Sequence, residues 1–140
     1  HPDTLASASN LAWTLQDLGD LAAARDLHQR TYDARRRGLG EDHRDTLGSA
    51  SSLAVALHAL GDLAGARDLH QRTYDARRRV LGEDHPDTLT IASSLAVTLQ
   101  DMGDRGAAIA LLSQVVQRRN PQDPSLPAER AALERWQSEV

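Results

Sequence analysis

The chain contains no cysteine and no phenylalanine, and only two tryptophans and two tyrosines among 140 residues. Without cysteine there are no disulfides, no thiol catalysis and no Cys-type zinc sites, a composition that suits a cytoplasmic chain. No apolar run approaches the ~20 residues needed to span a bilayer, and no signal-peptide pattern opens the chain, so no membrane partner is expected. The net charge of −4 argues against a nucleic-acid partner, because phosphate binding needs a clustered positive field. Patterns for zinc proteolysis, phosphate loops, nucleophile elbows and dinucleotide binding are absent. Acids and serines are plentiful but recur with the helical period, as solvated faces do. Neither an enzyme active site nor a cofactor is expected.

What the chain does contain is repetition. The stretch Gly19 to Arg37, GDLAAARDLHQRTYDARRR, returns as Gly61 to Arg79, GDLAGARDLHQRTYDARRR, and more loosely from Gly103 as GDRGAAIALLSQVVQRR, with an offset of 42 residues. The frame repeats as well: HPDTL at His1, HRDTL at His43 and HPDTL at His85. A fixed period between 20 and 50 residues marks a repeat architecture, in which neighbouring units bury each other's apolar faces. Repeats are expected over 1–42, 43–84 and 85–120, within a single domain that can bury roughly 68% of its unfolded surface. The chain opens at His1 on the repeat boundary and without Met, as a fragment of a longer array would.

In the first repeat, Pro2 and Asp3 suit a helix start. Leu5, Ala8, Leu11, Ala12, Leu15 and Leu18 then recur at three- and four-residue steps, which predicts an amphipathic helix ending near Gly19. Asp20 can cap a second helix, with Leu21, Ala24, Leu27, Thr31 and Ala34 on one face, running to about Arg37. The short Gly19-Asp20 connection makes the pair antiparallel. Arg35, Arg36 and Arg37 fall in the last turn, where cations offset the helix dipole, and read as a solvated helix end. The second repeat follows the same plan, with Leu47, Ala50, Leu53, Ala54, Leu57 and Leu60 on its first helix and Leu63, Ala66, Leu69 and Thr73 on its second. The third keeps its first helix through Leu89, Ala92, Leu95, Ala96, Leu99 and Met102. Its second helix is more apolar: Arg25, His28, Thr31 and Tyr32 become Ile109, Leu112, Val115 and Val116. Such a helix needs wider cover. A capping helix over 126–139, starting at Pro127 and placing Leu126, Ala131, Leu133, Trp136 and Val140 along one side, is expected to close the stack.

The repeat resembles the tetratricopeptide repeat in its 42-residue form, as in kinesin light chains. The resemblance rests on Leu11-Ala12, Leu15, Gly19-Asp20, Ala24 and Leu27, and on the spacer from Leu81 to Leu89, LGEDHPDTL. Ala12 and Ala24 are expected to be small because two helices cross closely there. Three features depart from the family: aromatics are missing at Leu15 and Leu21, paired asparagines shrink to Ser9-Asn10, Ser51-Ser52 and Ser93-Ser94, and Arg105 replaces an apolar residue after Gly-Asp. The resemblance implies an all-α fold, a right-handed superhelical solenoid of three antiparallel helix pairs plus a C-terminal capping helix. It also implies that the concave face, lined by first helices, holds an extended peptide or a partner helix.

Repeats one and two differ mainly on the first helix: Ala6/Gly48, Asn10/Ser52, Trp13/Val55, Thr14/Ala56, Gln16/His58 and Asp17/Ala59. Steps of three and four link positions 6, 10, 13 and 17 into one stripe, distinct from the core stripe of Leu5, Ala8 and Leu15. By resemblance this is the ligand-facing wall. In the first repeat it comprises Ala6, Ser9, Asn10, Trp13, Gln16 and Asp17. In the second it comprises Gly48, Ser51, Ser52, Val55, His58 and Ala59. In the third it comprises Thr90, Ser93, Ser94, Val97, Gln100 and Asp101. Trp13 offers a large apolar surface with one donor; its alternative role is to cover the open end of the first repeat. Asn10 can pair with a peptide amide or stay solvated. Gly48 admits a close backbone approach at a helix cost of ~1 kcal/mol. Gln16 and Gln100 read as solvated.

Six histidines raise the question of a metal. His1, His43 and His85 start successive repeats and should lie too far apart to share an ion, while His28 and His70 align with Leu112 and read as half-buried packing. No metal site is expected. The functional expectation is a protein or peptide-binding scaffold. The alternatives are a structural element that self-associates through exposed repeat ends or exchanges helix pairs, and the sensor arm of a larger nucleotide-dependent signalling protein, compatible with an Ala/Arg-rich, bacterial composition.

Overall fold

A computed structural model describes residues 2–139, and the side chains of Pro2 and Asp3 are outside that description. Seven helices follow in order: α1 (Pro2–Asp17), α2 (Leu21–Leu39), α3 (Arg44–Ala59), α4 (Leu63–Leu81), α5 (Pro86–Asp101), α6 (Arg105–Arg118) and α7 (Leu126–Ser138). No strand occurs among the described residues. The chain forms two compact units, one ending at Leu69 and the other beginning at His70, with the division inside α4.

Each hairpin turns on the same two residues, a glycine and an aspartate. Gly19, Gly61 and Gly103 sit at φ near +90° (88°, 88° and 90°), a conformation that costs a side-chain-bearing residue but not glycine. The following Asp20 N–H donates to the Leu15 carbonyl, and the Gly19 N–H donates to that of Gln16, satisfying the last carbonyls of α1. The aspartate then caps the next helix: Asp20 Oδ1 accepts from the Ala23 N–H at 3.3 Å, Asp62 Oδ1 from Gly65 at 3.0 Å and Asp104 Oδ1 from Ala107 at 3.3 Å. α2 runs two residues beyond the expected Arg37, through Gly38 and Leu39, and stops at Gly40 with φ 89°.

His43 and His85 are helix caps. Each accepts, through Nδ1, the N–H two residues on, Asp45 or Asp87, at 3.0 Å. His1 lies outside the described residues.

The expected crossing points hold. Ala12, Ala24, Ala54, Ala66, Ala96 and Ala108 are all at 0% exposure, so the helix backbones approach as closely as a methyl group allows. In the first unit Tyr32 packs with Ala50, Leu53, Ala54, Leu69 and Leu57. In the second, Leu89, Ala92, Ala96, Ala108, Leu112, Val115 and Trp136 form the core, with Tyr74, Ala132 and Leu133 against it. His28 and His70 are fully buried rather than half-buried, like Leu112 in the same place.

Several expectations are corrected. Leu18, Leu60 and Met102, the last members of each apolar stripe, are exposed (78%, 37% and 37%), because each immediately precedes the hairpin glycine, beyond the helix's last full turn. Leu11 is also exposed, at 52%, although its copies Leu53 and Leu95 are at 2% and 1%. On α7 the inward residue is Ala132, whereas Ala131 faces solvent, because the stripe steps from Leu126 to Glu129, Ala132 or Leu133, and Trp136. Val140 lies outside the described residues. Arg35 is not a solvated end: it is half-buried and its Nη1 donates to Ser49 Oγ at 2.8 Å. Arg36 lies over the Tyr32 ring, 5.2 Å from its centroid. Only Arg37 of the three is exposed.

Candidate binding stripe

On α3 the buried positions are Thr46, Leu47, Ser49, Ala50, Leu53, Ala54 and Ala56. The positions between them that retain solvent access are Gly48, Ser51, Ser52, Val55, His58 and Ala59, with Leu57 half-covered by the core. α5 reproduces this division: Thr90, Ser93, Ser94, Val97, Gln100 and Asp101 remain accessible, while Thr88, Leu89, Ile91, Ala92, Leu95, Ala96 and Thr98 are buried. On α1, Ala6, Asn10, Trp13 and Asp17 are exposed and Ser9 and Gln16 half-buried. The stripe read from the sequence is thus accessible on every first helix.

Its polar groups differ in how free they are. Ser52 Oγ donates back to the Gly48 carbonyl at 3.1 Å and Ser94 Oγ to that of Thr90 at 3.2 Å, bonds that use up their hydroxyl protons. Asn10, in the same place on α1, has no side-chain hydrogen bond among the described residues, and neither do Ser9, Ser51 and Ser93. An amide and three hydroxyls are therefore available to an incoming polar group. Gln16 and Gln100 are not the solvated side chains expected. Their Oε1 atoms are shielded and lack a donor, and Gln100 Nε2 reaches Glu139 Oε2 at 3.5 Å. Trp13 stands edge-on to His28, with centroids 5.1 Å apart and planes at 71°, and keeps 37% of its surface exposed. It therefore packs and presents a face at once. Burial lowers the pKa of His28, so the imidazole beneath Trp13 is neutral near pH 7.

In the second unit the stripe opens into a pocket of about 290 Å³ lined by Thr90, Ser93, Ser94 and Val97 of α5, by Arg119 and Ser125, and by Ala128 and Glu129 of α7. Its floor is a buried ion pair. Arg119 Nε and Nη2 donate to Glu129 Oε1 and Oε2, both at 2.9 Å. Nη1 donates to Asp123 Oδ2 at 3.2 Å and to the Pro86 carbonyl at 3.3 Å, and Nη2 also to Thr90 Oγ1 at 3.3 Å. All five N–H donors of the guanidinium are occupied. The hydrogen bonds to Glu129 raise the arginine pKa. The Ser125 backbone N–H, then Arg119, hold Asp123 below the usual carboxylate value. With no donor left over, the floor is a clamp and not an anion site. It ties α7 to α5 while the pocket walls remain hydroxyl and apolar.

Sequence reasoning missed Arg119 and Glu129. A signal existed: Arg119 stands 42 residues after Arg77 and 84 after Arg35, and all three are withdrawn from solvent. Arg105 holds the far end of the cap, its Nη1 donating to the Glu139 carbonyl at 2.6 Å. This is what the departure from an apolar residue accomplishes there.

No helix among the described residues is long and apolar enough to cross a membrane. No cluster of metal-ligating side chains occurs among them either.

Models of the tetratricopeptide repeat match residues 4–45 and 45–120. A solved Podosopora anserina chain of kinesin light chain type, with nearly identical TPR-like repeats, superposes with a TM-score of 0.89 at 28% identity over 97% of this chain. A single-residue variant of it gives the same values. BtubC (BKLC) from P. vanneervenii superposes with a TM-score of 0.88 over 99% of this chain at 16% identity, a likeness of fold alone. The chain spans 66% of the Podosopora anserina protein and 57% of BtubC. No curated protein sequence matches the chain. The fold is an all-α helical repeat solenoid, and the chain belongs to the tetratricopeptide repeat family, of the kinesin light chain-like type.

Proposed function

We propose that this repeat scaffold, a protein-interaction fold, binds extended peptide on the accessible stripes of its first helices, those of α1 and α3 in the first unit and that of α5 in the second, where one side chain of the peptide enters the pocket between α5 and α7. The supporting observation is that on α3 and α5 solvent access is confined to one stripe, and that in the second unit this stripe leads into a built concavity. The chemistry of the stripe suits a peptide backbone. The Asn10 amide can both donate and accept, the free hydroxyls of Ser51 and Ser93 can do either, and Val55, Val97 and Trp13 supply apolar contact. The stripe carries Asp17 and Asp101 and no arginine, which favours a neutral or basic segment over an acidic one. The pocket, with its cation fully engaged by carboxylates, favours a small apolar or hydroxyl-bearing side chain.

A peptide array probed with the wild-type chain, Asn10→Ala, Trp13→Ala and Val97→Asp tests the reading. Peptides captured by the wild type should be lost or weakened at least tenfold with Val97→Asp, and less so with the other two. Capture unchanged in all three variants removes the stripe as the binding surface.

A further inference from the structure

Resting on the peptide-binding reading above, we infer that the pocket between α5 and α7 takes a serine or threonine side chain of the peptide in its unmodified form, and that phosphorylation of that side chain releases the peptide. Two kinds of hydrogen-bonding capacity are left open in the pocket. Thr90 Oγ1 accepts from Arg119 Nη2 at 3.3 Å and donates to no neighbour among the described residues, and the Ser93 hydroxyl is unbonded among them. Each oxygen of the buried Glu129 carboxylate accepts one hydrogen bond, from Arg119 at 2.9 Å, and retains a lone pair for another. The pocket thus holds hydroxyl protons on one wall and carboxylate lone pairs on its floor. A hydroxyl on the ligand uses both, giving its proton to Glu129 and accepting one from Thr90 or Ser93. A methyl group in its place uses neither and sets an apolar surface against a carboxylate.

A phosphoryl group reverses this fit. It carries about −1.5 to −2 charges at pH 7 and has no proton to spare for a carboxylate. It meets a floor with one more carboxylate than cation, because Arg119 is paired with both Glu129 and Asp123. Among the described residues that line the pocket Arg119 is the only cation, and its N–H donors are all engaged. Turning the guanidinium towards a phosphate strands the buried Glu129 carboxylate. The start of α7 supplies no substitute. Glu129 already occupies its first turn, Pro127 has no N–H, and the Leu126 N–H is donated to the Asp123 carbonyl at 3.1 Å. A volume of about 290 Å³ has room for a phosphoryl group, so charge and not size excludes it.

The probe is an array of short peptides, each spotted with serine, alanine or phosphoserine at one fixed position among neutral and basic residues. It is exposed to the 140-residue chain and to its Val97→Asp variant. Among the spots that Val97→Asp loses, serine should be captured about tenfold more strongly than phosphoserine, with alanine between them. Equal or stronger capture of phosphoserine overturns the inference. Alanine equal to serine overturns it too, since the hydroxyl then contributes nothing. Ala128→Lys adds an ammonium at the exposed first turn of α7 and should narrow the preference for serine over phosphoserine at least about threefold. A ratio that does not move assigns the exclusion to size and overturns the electrostatic account. If no capture in any form depends on Val97, the stripe itself is lost, and this inference with it. If capture depends on Val97 but not on phosphorylation, the stripe stands and the inference about the pocket alone fails.

Discussion

α2 and α6 hold the same place in the first and third repeats and solve different problems. α2 is polar, with His28, Thr31 and Tyr32 on its buried side and an arginine that makes one hydrogen bond to the next helix. α6 presents Leu112, Val115 and Ile109 instead, and its arginine, Arg119, makes five. The difference follows from what lies next. α2 is followed by another first helix, whose face is a standard copy. α6 is followed by α7, whose register is new: Glu129 is buried where an ordinary repeat carries an exposed aspartate. An internal junction is built from interchangeable parts and tolerates polar neighbours. A terminal junction occurs once, so its apolar area and its ion pair are specific to it.

The sharpest way to break this comparison is to truncate the two arginines. Arg119→Ala should cost about 3–5 kcal/mol, because it strands the buried carboxylate of Glu129. Arg35→Ala should cost about 1 kcal/mol, the worth of one hydrogen bond to a hydroxyl. Urea unfolding followed by circular dichroism measures both, and equal losses would mean that the two junctions are built alike. Next in size are the positions where the helices agree. Ala24→Leu and Ala108→Leu should each cost about 1–3 kcal/mol, since each alanine is fully enclosed at a helix crossing. A cost at only one of them would show that the crossings are not equivalent.

His28 separates the two helices by pH. Burial lowers its pKa below the usual value of about 6.5, so in acid the unfolded chain binds a proton that the folded chain resists. Stability should therefore be complete above the unfolded value and fall as pH drops below it. His28→Leu, which places the α6 residue in α2, should flatten the dependence of Tm on pH between about 7 and 5, a range set by the unfolded histidine. An unchanged slope would assign the acid sensitivity elsewhere. The smallest effect concerns α4, the near-copy of α2. A Cβ at Gly65 would meet Asp62 Oδ2 at 2.6 Å, but that carboxylate is the mobile end of a side chain, and Ala23 and Ala107 occupy the same place with the cap intact. Gly65→Ala should raise stability by about 0.5–1 kcal/mol through helix propensity, and a loss in thermal melts would show that the cap cannot shift.

The repeat itself was legible in the sequence, because period, hairpin glycine, capping aspartate and crossing alanine are local features that recur at fixed places. Two kinds of feature were not. Apolar periodicity identifies the face of a helix that can pack, but not whether anything lies on it, so Leu11 and Leu53 look alike until their surroundings are known. Charge is similarly ambiguous: nothing in the sequence marks Arg119 and Glu129, ten residues apart across a proline-bearing turn, as partners. Only the turn from Asn120 to Ser125, with Asp123 bonded to the Ser125 N–H at 2.8 Å, brings them face to face. The histidines that open the repeats were read for metal binding and dismissed, yet the role of His43 and His85 as Nδ1 caps was visible in their place immediately before Arg or Pro and Asp. The accessible stripe was found because the first two repeats diverge along it, a comparison that the chain carries within itself.

The claim on which the functional account depends is that ligands meet the first helices. Backbone and indole chemical-shift mapping of the full chain, titrated with a peptide selected by the array, tests it directly. The account predicts that the largest shifts fall on Ser93, Ser94 and Val97 of α5, on Ser51 and Val55 of α3, and on the Trp13 indole. Shifts confined to the outer sides of α2, α4 and α6 would contradict it.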